Sequence, residues 1–202
     1  MQRGLLIVVS GPSGVGKNTV ISSLFDELPK LKYSVSATTR APRENEVEGR
    51  NYFFLSESEF LKRIAAQDFL EWAKVYQHYY GTLKSYVLQL LEAGDDVILD
   101  VDVQGGKAIK KILPEAILIF LASPSLTELK NRLIGRSTEC AAEIELRTQN
   151  IRIELACAAD YDFLVVNDQI DLTCQRIKCI ICAEKCRVSR QESGFWKKLL
   201  GE

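Results

Sequence analysis

Gly11-Pro12-Ser13-Gly14-Val15-Gly16-Lys17 is the stretch from which the rest of this chain is read. It fits the pattern G-x-x-x-x-G-K, and its surroundings are those the pattern requires. The apolar run Leu5–Ser10 before it reads as a buried strand. After it, Val20, Ile21, Leu24 and Leu28 recur at helical spacing until Pro29 ends the helix. In a strand, glycine loop and helix of this kind, backbone N–H groups curl around phosphate oxygens, and the helix presents its positive end to the same point. Lys17 then reaches the β- and γ-phosphates of a nucleotide. A chance glycine turn is the plain alternative, and it would not come with the flanking strand and helix. The residue after the lysine is usually Ser or Thr, whose hydroxyl ligates Mg²⁺. Here it is Asn18, followed by Thr19. An amide oxygen is also a hard ligand, so Asn18 is a candidate metal ligand, directly or through water.

Working outward, Val97–Val103 is a near-continuous apolar run interrupted by Asp100 and Asp102, and it reads as a buried parallel strand. A strand closing on an acid is where a phosphate-loop enzyme keeps a carboxylate for its metal, which makes Asp100 the second candidate ligand. An Asp capping local backbone is the bland reading. Ala116–Leu121 and Phe163–Val166 are further strands, Tyr33–Ala37 reads as a strand edge, and Tyr52–Leu55 as a short strand. Ser56 with Glu59 forms a capping-box signature that opens a helix to about Gln67. The aromatic-rich Phe69–Tyr80 suits short strands. Helices are expected at Leu83–Ala93, stopped by Gly94, at Ala108–Leu113, at Thr127–Ile134, at Ala141–Ala159 and at Gln175–Arg187. Thr38–Arg50, with Pro42 and Gly49, and Gly135–Cys140 are loops. Strands alternating with helices predict an α/β fold with a mainly parallel sheet.

The 202 residues suit one domain, and a formal net charge of −1 gives no support to nucleic-acid binding. A small-molecule or protein partner is the expectation. No apolar run reaches the roughly 18–20 residues of a membrane span, and Leu5–Val9 is too short for a signal-peptide core. The expected location is cytoplasmic, where thiols stay reduced. Cys174, Cys179, Cys182 and Cys186 cluster late, and Cys179 and Cys182 form a C-x-x-C. With no second paired motif, and with the lone histidine, His78, far away in sequence, they are read as small apolar residues of a terminal helix rather than a zinc site.

The second decisive block is Ser34-Val-Ser-Ala-Thr-Thr-Arg40-Ala-Pro-Arg43, followed by Glu46-Val-Glu-Gly-Arg-Asn-Tyr52. Taken alone it reads equally as a solvated basic loop with core tyrosines, or as a site where guanidinium forks meet phosphate oxygens. With Phe69-Leu-Glu71-Trp72, Tyr79-Tyr80-Gly-Thr82, Ile98–Gly105 and Leu133-Ile-Gly-Arg136-Ser-Thr-Glu139, it resembles the guanylate kinases over about residues 5–170.

That resemblance implies a parallel sheet of the P-loop NTPase type flanked by helices. The core would be about 1–34, 83–125 and 159–190, with an inserted GMP-binding segment (about 35–82), a helical lid (about 126–158) and a tail at 191–202. It implies ATP:GMP phosphotransfer with Mg²⁺, a step of guanine nucleotide recycling. ATP would lie on Gly11–Thr19, with Asn167 near the adenine. Ser36, Arg40, Arg43, Tyr52 and Tyr80 would hold the GMP phosphate, with Glu46 orienting the arginines or lying on the ribose side. Glu71, Thr82 and Asp102 would read guanine, or dGMP as well as GMP. A carboxylate can accept from guanine N1–H and the exocyclic amine together, whereas adenine presents a bare acceptor at N1. Lys17, Arg40, Arg136 and Arg147 would supply positive charge to the transferring group. Arg132 is read as a lid or surface residue, and Ser137 stands where the family commonly has glycine. Two rivals stand beside this reading. One is a non-catalytic guanylate-kinase-like binding module, to which only Asn18 lends support. The other is a kinase for a different nucleoside monophosphate.

Overall fold

The computed structural model describes residues 3–134, 151–191 and 193–201. Its main sheet holds β1 (Leu6–Ser10), β2 (Leu31–Tyr33), β7 (Asp96–Asp100), β8 (Ile117–Ala122) and β9 (Phe163–Val166), in the order β2-β7-β1-β8-β9. Its strand pairings are all parallel. Every residue of β1 is buried, as a central parallel strand covered on both faces requires. On one face Ile7 and Val9 pack with Ile21 and Leu24 of α1 (Lys17–Glu27) and Ile177 and Ile181 of α6 (Ile170–Lys185). On the other, Leu6 and Val8 pack with Val87 and Leu91 of α3 (Lys84–Glu92) and Ile109 of α4 (Val103–Ile112). Each such side chain taken fully from water contributes about 1.5–3 kcal/mol. β1 sits between β7 and β8, so the strand order reverses at its carboxyl end, where an α/β sheet opens a crevice for ligands.

A second sheet has the order β4-β3-β6-β5, from β3 (Ala37–Thr38), β4 (Phe53–Phe54), β5 (Phe69–Val75) and β6 (His78–Leu83). Here the structure corrects the expected strand edge at Tyr33–Ala37. β2 ends at Tyr33, β3 begins at Ala37, and residues 34–36 cross between the sheets. The Ser34 N–H still bonds the Ile98 carbonyl of the main sheet, while the Ser36 carbonyl accepts from Phe53 of the second. The sequence alternation was that handover.

β5 pairs with β6 in a hairpin whose register slips between Phe69 and Glu71, so Phe69 faces Leu83 and Glu71 faces Thr82. The extra residue of this bulge, Leu70, is fully buried in the core under the main sheet, while Phe69 belongs to the core of the small one with Ala37, Phe60 and Leu83. One step of chain thus ties the two sheets together.

α2 (Glu57–Ala65) begins as expected, with Ser56 Oγ accepting the Glu59 N–H at 3.2 Å. α4 is longer than expected. The strand before it stops at Asp100, and Asp102 is the helix N-cap, its Oδ1 accepting the Gly105 N–H at 2.7 Å. Gly105 and Gly106, poor helix formers, hid this first turn in the sequence.

α5 (Leu126–Ile134) matches its expectation. Gly135–Cys140 and most of the expected helix Ala141–Ala159 lie outside the described residues, whose next stretch, 151–156, is helical and runs into a 3₁₀ turn at Cys157–Asp160. The tail carries a helix, α7 (Ser193–Leu200). Cys174, Cys179 and Cys182 lie in α6 with Cys186 at its C-cap, as the terminal-helix reading has it; Cys174 is buried and the other three are exposed. Among the described residues no helix is long and apolar enough to cross a membrane.

Candidate active site

The loop after β1 is shaped by close approaches. Gly11 has φ 151°, and a Cβ there would lie 2.2 Å from the Leu121 carbonyl oxygen of β8. Gly16, the N-cap of α1, has φ 95°, and a Cβ there would lie 2.7 Å from Asn167 Nδ2. Only glycine suits both. Lys17 Nζ donates to the Gly11 carbonyl at 2.8 Å and lies 4.0 Å from Asp100 Oδ1. The loop, Asn18, Thr19, Asp100, Val101, Asp102 and Glu154 line a cavity of about 420 Å³. Burial pushes the Asp100 carboxyl above its ordinary value, and Lys17 draws it partly back.

Asn167 is 5 % exposed, and its Nδ2 donates to the Val15 carbonyl at 2.8 Å. The Thr173 hydroxyl donates toward Asn167 Oδ1 at 3.1 Å, sharing its proton with the Gln169 carbonyl at 2.8 Å. Asn167 therefore braces the loop from behind. Beside it a second cavity, of about 390 Å³, is lined by Gly14, Gly16, Thr19, Arg132, Asn167, Asp168 and Ile170. Both Arg132 Nη atoms lie 3.5 Å from the Asn167 carbonyl oxygen, and its Nε pairs with Glu128 at 3.1 Å. Arg132 belongs to this cavity wall.

The small sheet holds the other half. Arg40 Nη2 donates to both Glu46 oxygens, at 2.7 and 2.9 Å, and the Arg43 N–H donates to Glu46 Oε2 at 2.8 Å. The Arg40 guanidinium also neighbours Tyr80, which helps to raise it, and lies 5.5 Å from the Tyr52 ring centre, and the two tyrosines meet edge to face at 6.2 Å. Arg40, then the Arg43 amide, hold the Glu46 carboxyl below the usual range, and Glu46 in turn raises Arg40. Ser36 lies half-buried in the crossing segment. Nearer the main sheet, Thr82 Oγ1 donates to Glu71 Oε1 at 2.6 Å. Burial pushes the Glu71 carboxyl up, the Thr82 bond opposes this, and the Asp102 charge adds to it. A Cβ on Gly105 would stand 3.4 Å from Asp102 Oδ1 and 3.5 Å from Glu71 Cγ, so the α4 start brings the two carboxylates together.

The structure thus gathers the sequence candidates into two clusters, one on the loop and one on the small sheet, which share the turn Asp100–Asp102. Arg136 and Arg147 lie outside the described residues. Glu154 and Thr173 are not among the sequence candidates, and Arg132, read as a lid or surface residue, lines a cavity. None sits in a local motif, since each acts across a fold-level contact.

The family model described as Guanylate kinase matches residues 3–184. A guanylate kinase of Caldanaerobacter subterraneus subsp. tengcongensis is 49% identical over 196 residues, covering 97% of this chain and 95% of its own. That of Bacillus subtilis is 47% identical over 199 residues, covering 98% of each. Among solved structures, a guanylate kinase from Anaplasma phagocytophilum superposes with a TM-score of 0.74 at 30% identity, covering 98% of this chain and 94% of that one.

Proposed function

The chain belongs to the guanylate kinase family, and from that premise we propose how its residues share out the transfer of the γ-phosphoryl group from ATP to GMP. One observation carries the reading. The turn Asp100–Asp102 lines the phosphate cavity, and the Asp102 charge is also felt by Glu71, so donor and acceptor meet across one short stretch of chain.

On the donor side, the backbone of Gly11, Pro12, Ser13, Gly14, Val15 and Gly16 cradles the β- and γ-phosphates, with Lys17 on the transferring end. The adenosine extends into the cavity beside Arg132, Asn167, Asp168 and Ile170, where the Arg132 guanidinium offers a flat cationic face to the base. A divalent metal fits here. The half-buried Asp100 carboxyl is raised by desolvation, which Lys17 at 4.0 Å offsets in part, so its charge is under-compensated. The Asn18 amide lines the same cavity. The described residues hold no ready cage of three metal-binding side chains, as suits Mg²⁺, which takes most of its ligands from phosphate and water. Asp100 and Asn18 would hold it, and when bound it supplies Lewis-acid charge on the phosphates.

On the acceptor side, Arg40, Arg43, Tyr52, Tyr80 and Ser36 grip the GMP phosphate, while Glu46 keeps the Arg40 fork in place. Guanine exchanges one hydrogen bond for several. Glu71 accepts from N1–H and the amine, which frees the single Thr82 proton for O6. The Asp102 oxygen not used in capping takes the amine from its other side. Adenine would leave Glu71 facing a lone pair and Thr82 facing an amine.

The GMP phosphate oxygen is already ionised at neutral pH, so the transfer needs no strong general base. It attacks the γ-phosphorus in line as the bond to the β-bridging oxygen breaks and ADP leaves. Lys17 and Arg40 offset the charge, joined by Arg136 and Arg147. Closure of segment 35–82 and lid 126–158 on the core excludes water.

The test is ADP formation from Mg²⁺–ATP with and without GMP, and with AMP in its place. Turnover that needs GMP, is poor with AMP and disappears in Lys17→Ala is the expected result. GMP binding without turnover would instead favour a binding module.

A further inference from the structure

Glu154 stands where an anion is expected. It lies in the helical stretch 151–156, yet it reaches the phosphate cavity and lines it with Ser13, Lys17, Asn18 and Asp102. Burial pushes its carboxyl above the ordinary value, the Lys17 charge and the Ser13 backbone N–H draw it partly back, and Asp102 adds a neighbouring like charge. The Ser13 amide belongs to the set that the loop turns toward phosphate oxygens. A carboxylate brought out of water needs donors and positive charge to replace its hydration, and the loop amide and Lys17 do so here in part, which leaves it ready to yield.

We propose that Glu154 is an internal occupant of the phosphate seat and a specificity-determining residue for the donor: its carboxylate holds the Ser13 N–H until a polyphosphate displaces it. The proposal rests on reading the loop as the ATP site. Because Glu154 is tethered, its effective concentration at the seat is high, and a small free anion with few contacts competes poorly. ATP adds the contacts of its nucleoside beside Arg132 and displaces it. Glu154 therefore favours nucleoside triphosphate over inorganic phosphate and pyrophosphate in a site whose amides and lysine would otherwise take any of them.

The test is calorimetric titration of wild type, Glu154→Gln and Glu154→Ala with pyrophosphate and with ATP, each in EDTA and with Mg²⁺. Glutamine keeps the shape and an oxygen for Ser13 but loses the charge, and alanine vacates the seat. Pyrophosphate affinity in EDTA should rise about fivefold in Glu154→Gln and further in Glu154→Ala, with a smaller gain for ATP. The unfolding midpoint of each free variant shows whether the fold is retained. Unchanged affinities in folded variants overturn the proposal. So does ATP binding that weakens only when Mg²⁺ is present, which would make Glu154 a carboxylate that supports the metal. GMP-dependent turnover by the wild type tests the donor-site reading separately.

Discussion

In the reading proposed above, the phosphate loop and the Arg40 clasp each bind a phosphate, but they are built from different material. The loop is backbone, bent by glycines under φ values other residues resist and backed by the central strand of a five-stranded sheet. The clasp is side chain, with one guanidinium shared among Glu46, Tyr80 and Tyr52 on strands as short as two residues. Backbone amides that cannot turn away make a site for charge in general. Side chains that can exchange partners make a site that is completed by one ligand.

The strongest way to break the comparison is Lys17→Ala. It should lower kcat by about 10³-fold, the scale of losing a charge-stabilising donor at a transferring group, while GMP binding by calorimetry stays within about twofold. A parallel loss of GMP affinity would show that the halves are not independent. Next is Glu71→Gln, expected to lower kcat/KM for GMP by about 100-fold through two lost charge-assisted hydrogen bonds and to leave the KM for ATP in place. The same variant should unfold at a higher temperature than wild type at neutral pH. A carboxyl raised by burial adds stability while protonated and loses it as pH climbs through its folded value, so the ionised Glu71 is a net cost to the empty fold.

The same signs predict a pH profile. As pH falls, Glu71 protonates above the ordinary glutamate value of 4.5, while Glu46, held low by Arg40, stays charged. The KM for GMP should therefore rise in mild acid before the clasp is lost, and Glu71→Gln should flatten that limb. Thr173→Val, which removes the hydroxyl behind Asn167, should raise the KM for ATP several-fold without touching that for GMP, and Thr173→Ser should restore it. Smallest of all, Tyr76→Gly should stabilise the fold by about 0.5–1 kcal/mol in chemical denaturation and leave both substrates' kinetics alone. Tyr76 sits at the hairpin tip with φ 54° and 95 % exposure, a conformation glycine adopts freely.

What could be read in the sequence follows the same division. The phosphate loop is contiguous, its geometry is a property of its own glycines, and strand, loop and helix all stood where the pattern placed them. The parallel strands were legible because burial on both faces leaves an unbroken apolar run. The proposed guanine pocket was reachable only through resemblance, since Glu71 meets Thr82 by way of a bulge that no local periodicity encodes. The brace from Asn167 to Val15 spans 152 positions and leaves no trace in spacing. The first turn of α4 was hidden because Gly105 and Gly106 are there for room, against Val101 and the Tyr161 hydroxyl, and not for helix propensity.

The hairpin of β5 and β6 is a cantilever. It is rooted at Leu70, in the core of the large sheet, and β5 is progressively exposed toward a free tip at Tyr76. Deflection grows with distance from a clamp. The pair proposed to discriminate one base from another, Glu71 against Thr82, lies at the first rung from the root, where the beam bends least. Tyr80, at the Ala73 rung, and the Arg40 arm it touches lie further out. There a long guanidinium can follow a phosphate through displacements that would ruin a base contact. Tolerance is thus graded along a single beam, tight at its root and forgiving toward its end.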